Sequence, residues 1–567
     1  MKIRTALMGA AASLALAPAA MAERGSDGQV NIIMWQAPST MNAYLSGGTK
    51  EIIAASMTLE PLASFTPAGE LVPRLAAEIP TLENGGISED LTTLTWKLRE
   101  GIKWSDGSDF TADDVVFTAQ YCMHPEGGCA QLSKFEGIAS VEAVDPLTVR
   151  VTFTAPRPDP FSAFVAGQSP IIQKAQFENC IGAAAPTCTD QNFRPIGTGP
   201  FRVTDFRTND VISFEANPEY RDPAKPAFAT LVMKGGGDAA SAARSVLESG
   251  EFDYAWNTML APDVLASMEG AGRGKVDAAF GSLLERLEVN LTDPSSSLPE
   301  GERSTRAHPH PILSDARVRE ALSKAIDREM LVEIGYGPAG QVTCNLVPAP
   351  EAWASDNTGC ATQDIEGARA LLDEAGWTVG GDGIREKDGV KLRLLFQTSV
   401  NAVRQDFQAL IKQWWSEIGV DAELKVVDAS VFFGSDPGSP DTFQKFYADV
   451  QMYANNFEGG NPEPYLAKYT CDQAPGPANQ WQGENINRFC DPAYDEMVAR
   501  MTQITDATER ATLGRQMNDM LTKDSFTVIP LVYRGTASAY LNSLGGVELN
   551  AWDTELWNVA DWYRIKE

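Results

Sequence analysis

Residues 392–397 read LRLLFQ, residues 402–418 read AVRQDFQALIKQWWSEI, and residues 423–427 read ELKVV. The outer two are short apolar runs of strand length. The long middle stretch predicts a helix closed by Gly419. A strand, a helix and a second strand in that order imply a parallel crossover, because parallel neighbours cannot be joined by a tight turn. This unit sets the chain in the α/β class.

The same punctuation recurs outward from it. Asp315 opens a helix whose apolar residues Val318, Ala321, Leu322, Ala325 and Ile326 fall on one face. Residues 366–375 predict another helix, ended by Gly376. Strands are predicted at 30–35, 94–98, 147–154, 201–206, 211–216, 286–291, 449–453 and 528–533. Asp106-Gly107 is a turn dipeptide. Thr111 then caps a helix, with Asp113 and Asp114 in its first turn, where the helix dipole favours negative charge. The Pro- and Ser-rich stretch through Pro311 marks a boundary, and the tail carries Trp552, Trp557 and Trp562. The chain has no internal repeat and no low-complexity tract. It reads as at least two α/β lobes.

The N-terminus is an address. Lys2 and Arg4 precede an apolar, Ala-rich run, and Ala20-Met21-Ala22 is a small-x-small cleavage signal before Glu23. The run is shorter than the roughly 20 apolar residues that a membrane anchor needs. No Cys at the cleavage point indicates lipid attachment, so the mature chain is expected to be exported, soluble and periplasmic. Its eight Cys form four close couples: Cys122/Cys129, Cys180/Cys188, Cys344/Cys360 and Cys471/Cys490. An even count in an exported chain reads as disulfides. Eight cysteines allow 105 pairings, and short loops, which close at the lowest entropy cost, favour the sequential scheme.

Composition narrows the function. At 567 residues, with 43% hydrophobic and 22% charged residues, the chain can bury a large core. Its formal net charge of −30 repels phosphate backbones and argues against a nucleic-acid partner. No G-x-S-x-G, H-E-x-x-H or phosphate-loop motif is present. Three His are too few to favour a His-based catalytic or zinc site, and His308-Pro309-His310 reads as a solvated loop. No cofactor or metal is expected. Binding chemistry is present instead: polar-aromatic loops at 44–49, 397–404 and 453–465, where aromatic faces and glycines suit a small guest.

Three motifs carry a resemblance. The first is WKLREGIKWSDG (96–107) continuing FTADDV (110–115). The second is IGTGPF (196–201) followed by NPEY (217–220). The third is DARVREAL (315–322) followed by AIDR (325–328). With residues 364–376 and 490–501 in matching order, the mature chain resembles the extracellular solute-binding proteins of the oligopeptide/dipeptide/nickel class, the receptors of ABC importers.

The resemblance implies a two-lobed Venus-flytrap architecture of class II type, with an extra inserted subdomain. Lobe I is expected from 23–60, 196–284 and 534–567, the inserted subdomain from 61–195, and lobe II from 285–533. Hinge crossings are expected near 283–292 and 528–536. The ligand is expected to be a peptide or peptide-like solute, passed by a monomeric receptor to permease subunits. An opine, a sugar, a cationic amine or a metal chelate is the alternative within that role. An exported hydrolase, or a sensory or chaperone-like envelope protein, is the alternative outside it.

Glu458 falls where peptide-binding relatives hold the ligand's amino terminus with a carboxylate, although Asp is usual there. The Arg of the dipeptide-binding relatives is replaced by Thr398, with Arg404 about one helical turn further on. Gln397, Thr398 and Asn401 are expected to hydrogen-bond the ligand, and Tyr44, Tyr453 and Phe457 to pack on it. Gln36, Ser46, Gly47 and Thr49 are expected to line the opposite lobe.

Overall fold

A computed structural model describes residues 23–457, 459–504 and 506–566. The expected signal segment 1–22 and Glu458 lie outside the described residues. Two sheets organise the chain. The first has seven strands in the order Gly274–Ala279, Thr536–Leu541, Tyr254–Ala255, Gln29–Met34, Thr230–Gly235, Val211–Ala216 and Phe201–Arg207. The second has six, in the order Gly340–Val342, Val528–Arg534, Leu284–Val289, Val450–Asn455, Arg393–Ser399 and Asp421–Val427. Here the crossover is explicit. Arg393–Ser399 runs parallel to Asp421–Val427, and the helix Ala402–Glu417 joins them. Asn401 caps that helix, its side-chain oxygen accepting from Arg404 N at 3.0 Å.

Each sheet lies between apolar layers. Val318, Leu322, Phe396, Phe407 and Trp415 belong to one continuous core around the six-stranded sheet. The seven-stranded sheet has separate clusters on its two faces, one around Ile32, Phe214 and Trp562 and one around Trp35, Val246 and Leu247. A smaller antiparallel sheet, Thr93–Lys97, Thr148–Phe153 and Ile138–Asp145, has its own core around Trp96, Trp104 and Phe164. That core also takes in Ala43, Tyr44, Ile52 and Ala55, which precede the expected boundary at 61. The helix Thr49–Ser56 explains this. Ile52 and Ala55 lie on one face and enter the subdomain core, while Ile53, Ala54 and Met57 face the seven-stranded sheet.

The chain passes between the two large sheets at 280–283 and at Gly535. The first passage lies at the leading edge of the 283–292 window, because Leu284 is already paired with Asn455 and Tyr533.

The three motifs build this framework. Thr111 caps Ala112–Met123 in a reciprocal capping box with Asp114, whose carboxylate also accepts from Trp104 Nε1 at 3.2 Å and Lys174 N at 2.9 Å. Asp106 accepts from Ser108 N at 2.9 Å, and Gly107 holds the turn at φ +88°. Arg328, fully buried, donates to the carbonyls of Pro530 and Cys360, each at 2.8 Å. His310 departs from its expected solvated setting. It is buried, accepts at Nδ1 from the backbone of Ile312 and Leu313, and meets Asp449 at 2.8 Å through Nε2. All four disulfides join sequence neighbours, Cys122–Cys129, Cys180–Cys188, Cys344–Cys360 and Cys471–Cys490.

Gly197 and Gly199 pack against the backbone of Thr58. A Cβ on Gly197 would sit 1.9 Å from the Thr58 carbonyl oxygen. The substitution Gly197→Ala is therefore expected to cost about 3 kcal/mol, the upper end of ordinary overpacking penalties. Calorimetry would show it as a lowered unfolding midpoint, and an unchanged midpoint would refute the packing.

Candidate functional site

Inner strands of the two sheets end around a central cavity of about 150 Å3. Gln36, Gly47, Thr49 and Trp256 line it from the seven-stranded side, and Arg404, Phe443, Tyr453 and Asn455 from the six-stranded side. Leu283, Arg534 and Thr536, at the two chain passages, line it as well. Two larger spaces adjoin it. One, of about 500 Å3, lies between the inserted subdomain and lobe II, and shares Gln168 and Asn456 with the central cavity. Its walls are mainly apolar, with Phe65, Leu71, Phe161 and Val165 facing Phe457 and Tyr465. The other, of about 600 Å3, shares Gln36 and Lys50 and reaches Asn401.

The expected binding residues divide accordingly. Gln36, Gly47, Thr49, Arg404 and Tyr453 line the central cavity; Asn401 and Phe457 line the flanking spaces. Tyr44, Ser46, Gln397 and Thr398 line none of these three. Tyr44 is turned into the subdomain core, where its hydroxyl donates to Pro170 O at 2.5 Å and its ring meets Tyr121 and Phe135. Ser46 accepts from Gly48 N at 3.1 Å and donates to Glu51 at 3.2 Å, closing its own loop. Gln397 and Thr398 sit on an inner strand covered on both faces. The Gln397 amide donates to Gln451 Oε1 at 3.0 Å, and the Thr398 hydroxyl donates to Met452 O at 2.7 Å.

Arg404 is already engaged. Its Nε donates to Glu285 Oε1 at 2.6 Å, its Nη2 to Oε2 at 3.3 Å and its Nη1 to Ser399 Oγ at 3.0 Å. Arg534 Nε approaches Glu285 Oε2 at 3.4 Å, and Tyr336 donates to the same oxygen at 3.0 Å. All are buried. Burial alone would raise the Glu285 carboxyl, but the two guanidinium charges outweigh it and hold the group below its ordinary value. Two cations thus share one anion, and the lobe II side of the cavity keeps a surplus positive charge.

Below it, Arg286 donates to Glu288 Oε1 at 2.5 Å and lies against the rings of Tyr453 and Tyr465, at 5.1 and 5.7 Å. Phe433 and Phe443 brace Tyr453 from the other side, with ring centroids at 6.2 and 5.6 Å.

The opposite wall is acidic. Asp553 accepts from the backbone N–H groups of Phe65 at 2.9 Å, Gly167 at 3.1 Å and Thr554 at 2.7 Å. Glu555 Oε1 accepts from Tyr254 and Ser538. Burial pushes the Glu555 carboxyl up to about 7, despite those hydrogen bonds and the nearby Arg534 charge.

Glu285, Arg534, Trp256, Asp553 and Glu555 escaped the reading of the sequence. One signal was available: Glu285, Arg286 and Glu288 are three charges in six residues of a buried strand, an arrangement that demands partners. Among the described residues, no cluster of His, Cys, Asp and Glu could hold a metal ion, and no helix is long and apolar enough to cross a membrane.

Removing the shared anion tests the network. Glu285→Gln takes from the buried Arg404 and Arg534 the carboxylate they share, and is expected to destabilise the chain by about 3–5 kcal/mol in denaturant unfolding. The depressed carboxyl adds stability that is present at neutral pH and above the ordinary carboxylate range, and is lost as pH falls through its lowered value. The Glu285→Gln variant should therefore lose less stability than the wild type on acidification.

Comparison with known proteins adds four findings. Residues 70–476 match the model of the bacterial extracellular solute-binding proteins, family 5 Middle. A dipeptide-binding protein of Pseudomonas aeruginosa is 26% identical over 524 residues, covering 88% of each chain. A glutathione-binding protein of Shigella boydii is 24% identical over 470 residues, covering 82% of each. Among solved structures, the oligopeptide-binding protein AppA of Bacillus subtilis, in complex with a nonapeptide, aligns with a TM-score of 0.80 at 20% identity. That alignment covers 96% of this chain and 100% of the other, a likeness of fold.

Proposed function

The chain belongs to the bacterial extracellular solute-binding proteins of family 5, and from that membership we propose that it captures a peptide or peptide-like solute between its lobes and presents it to the permease of an ABC importer. The observation that carries the reading is the central cavity, walled by both sheets and by both chain passages. A guest held there touches everything that must move for the lobes to part, so its binding energy shifts an open-closed equilibrium toward the closed form.

The lobes meet across the cleft. Ser435 Oγ donates to Leu45 O at 2.8 Å, Ser46 bridges to Gly434, and Asn461 Nδ2 donates to Asp159 Oδ2 at 2.5 Å. The passages at 280–283 and Gly535 serve as the hinge. Glu458 and the acidic wall would attract a ligand ammonium, while the positive surplus around Arg404 and Arg534 would attract its carboxyl end. Gln36, Thr49 and the Gly47 backbone supply hydrogen-bonding groups, and Tyr453 supplies an aromatic face. The apolar space beside Phe457 suits a bulky side chain one or two residues along the peptide.

Location in the periplasm, action as a monomer and the absence of turnover complete the reading. A net charge of −30 speaks against nucleic acid as a partner.

Titration calorimetry with a series of di- to tetrapeptides tests it. Saturable binding is expected, with Ala-Ala-Phe tighter than Ala-Ala-Gly by about tenfold, the worth of roughly 1.4 kcal/mol from burying part of a ring. Small-angle scattering should show a smaller radius of gyration with ligand. Hydrolysis of the peptides, or no binding of any, would sink the reading.

A further inference from the structure

We infer that Glu555 is a recognition residue of the site, its Oε2 accepting a hydrogen bond from an N–H group of the captured solute. This rests on the solute-binding reading above and assigns one of its contacts. The C-terminal segment that carries Glu555 lies beyond residues 70–476, the span matched by the family model. It nevertheless places Asn550, Asp553 and Glu555 on the cavity wall.

The two acids there differ. Asp553 spends its oxygens on three backbone N–H groups and pins the segment to Phe65 and Gly167. Glu555 gives both of its hydrogen bonds to one oxygen, Oε1, which accepts from Tyr254 on one strand and Ser538 on another. Those two contacts aim the side chain. Its other oxygen, Oε2, is buried and has no partner, in a residue only 4% exposed.

A buried, unpaired carboxylate oxygen costs free energy, at least the 1–3 kcal/mol of a lost hydrogen bond. A structural acid would be expected to use both oxygens. One that is clamped through a single oxygen at the edge of a cavity is prepared for a donor that arrives with the guest. Arg534 Nε, paired by charge with Glu285 at 3.4 Å but making no hydrogen bond, lies on the same cavity beside the Gly535 passage. A peptide offers an N–H donor and a carbonyl or carboxylate acceptor close together, which matches this pair.

The charged and titratable groups facing Glu555 are Tyr254 and Arg534, with Asp553, Lys50, Arg404 and Tyr453 elsewhere on the cavity wall. Burial keeps the Tyr254 phenol far above its ordinary value, and hence neutral. With Glu555 titrating near 7, the acceptor strengthens as pH rises through neutrality.

The experiment is calorimetric titration of the full mature chain with trialanine, comparing wild type with Glu555→Gln at pH 5.5 and pH 7.5. At pH 7.5 the variant is expected to bind about ten- to a hundredfold more weakly, the worth of a hydrogen bond to a charged group. At pH 5.5, where the wild-type acid is protonated, the gap should narrow. Equal affinity at pH 7.5 would overturn the inference and make Glu555 a fold residue with water on Oε2. If Glu555→Gln does not fold, the wild-type profile decides: affinity rising between pH 5.5 and 7.5 supports the contact, and a flat profile overturns it. If wild type binds neither trialanine nor any peptide of a mixed di- to pentapeptide set, the peptide reading itself fails, and this contact with it.

Discussion

Glu285 sits at the point where the chain enters the six-stranded sheet, held between Arg404 and Arg534. The rest of the cleft depends on that one anion. Arg404 comes from the crossover helix and Arg534 from the strand that leaves lobe II, so a single carboxylate ties together a helix and both chain passages. Burying such a group is rarely the most stable solution. Apolar residues of the same volume often serve folding better, and the frequent return for keeping charge is a defined arrangement. Here the arrangement fixes the base of the cavity and leaves its lobe II wall net positive, opposite the acids Asp553 and Glu555. The two walls are therefore polarised in opposite senses before any guest arrives.

The framework around this base is shared between the inserted subdomain and the seven-stranded sheet more closely than the expected boundary at 61 suggests. The helix Thr49–Ser56 is apolar on two faces and serves two cores at once. Its N-terminal end, with the loop before it, supplies Thr49 and Gly47 to the cavity. A shift of the inserted subdomain relative to the seven-stranded sheet would thus be felt directly at the cavity wall. That couples a region without strands in either large sheet to the central cavity.

How much of this was legible in the sequence follows from what each residue does. The strands and helices were readable where apolar spacing and terminal signals agree: Gly419 closes the crossover helix, and Thr111 with Asp114 starts the subdomain helix. The motifs that carry the family likeness were readable because they are architectural. Asp106, Gly107, Gly197, Gly199 and Arg328 satisfy backbone groups or permit close approach, and they do so whatever the ligand. The cavity wall was less legible for the same reason. Tyr44, Gln397 and Thr398 have binding-competent chemistry, but only the fold decides that they point into cores. Glu555 and Asp553, in a tail notable from sequence only for its tryptophans, reach the cavity through contacts hundreds of residues away in the chain. Short-range pattern carries no record of such contacts.

The disulfides show one more property of the design. Cys122–Cys129 and Cys180–Cys188 lie within the inserted subdomain, and Cys344–Cys360 and Cys471–Cys490 within lobe II. Each staples a short local excursion, and none reaches over the gap. Oxidation on export can therefore harden the separate bodies without welding the jaws. Among the described residues, the two large sheets are joined covalently only by the backbone at 280–283 and Gly535, so the cross-links set the durability of each body and leave the connection between them to two short stretches of chain.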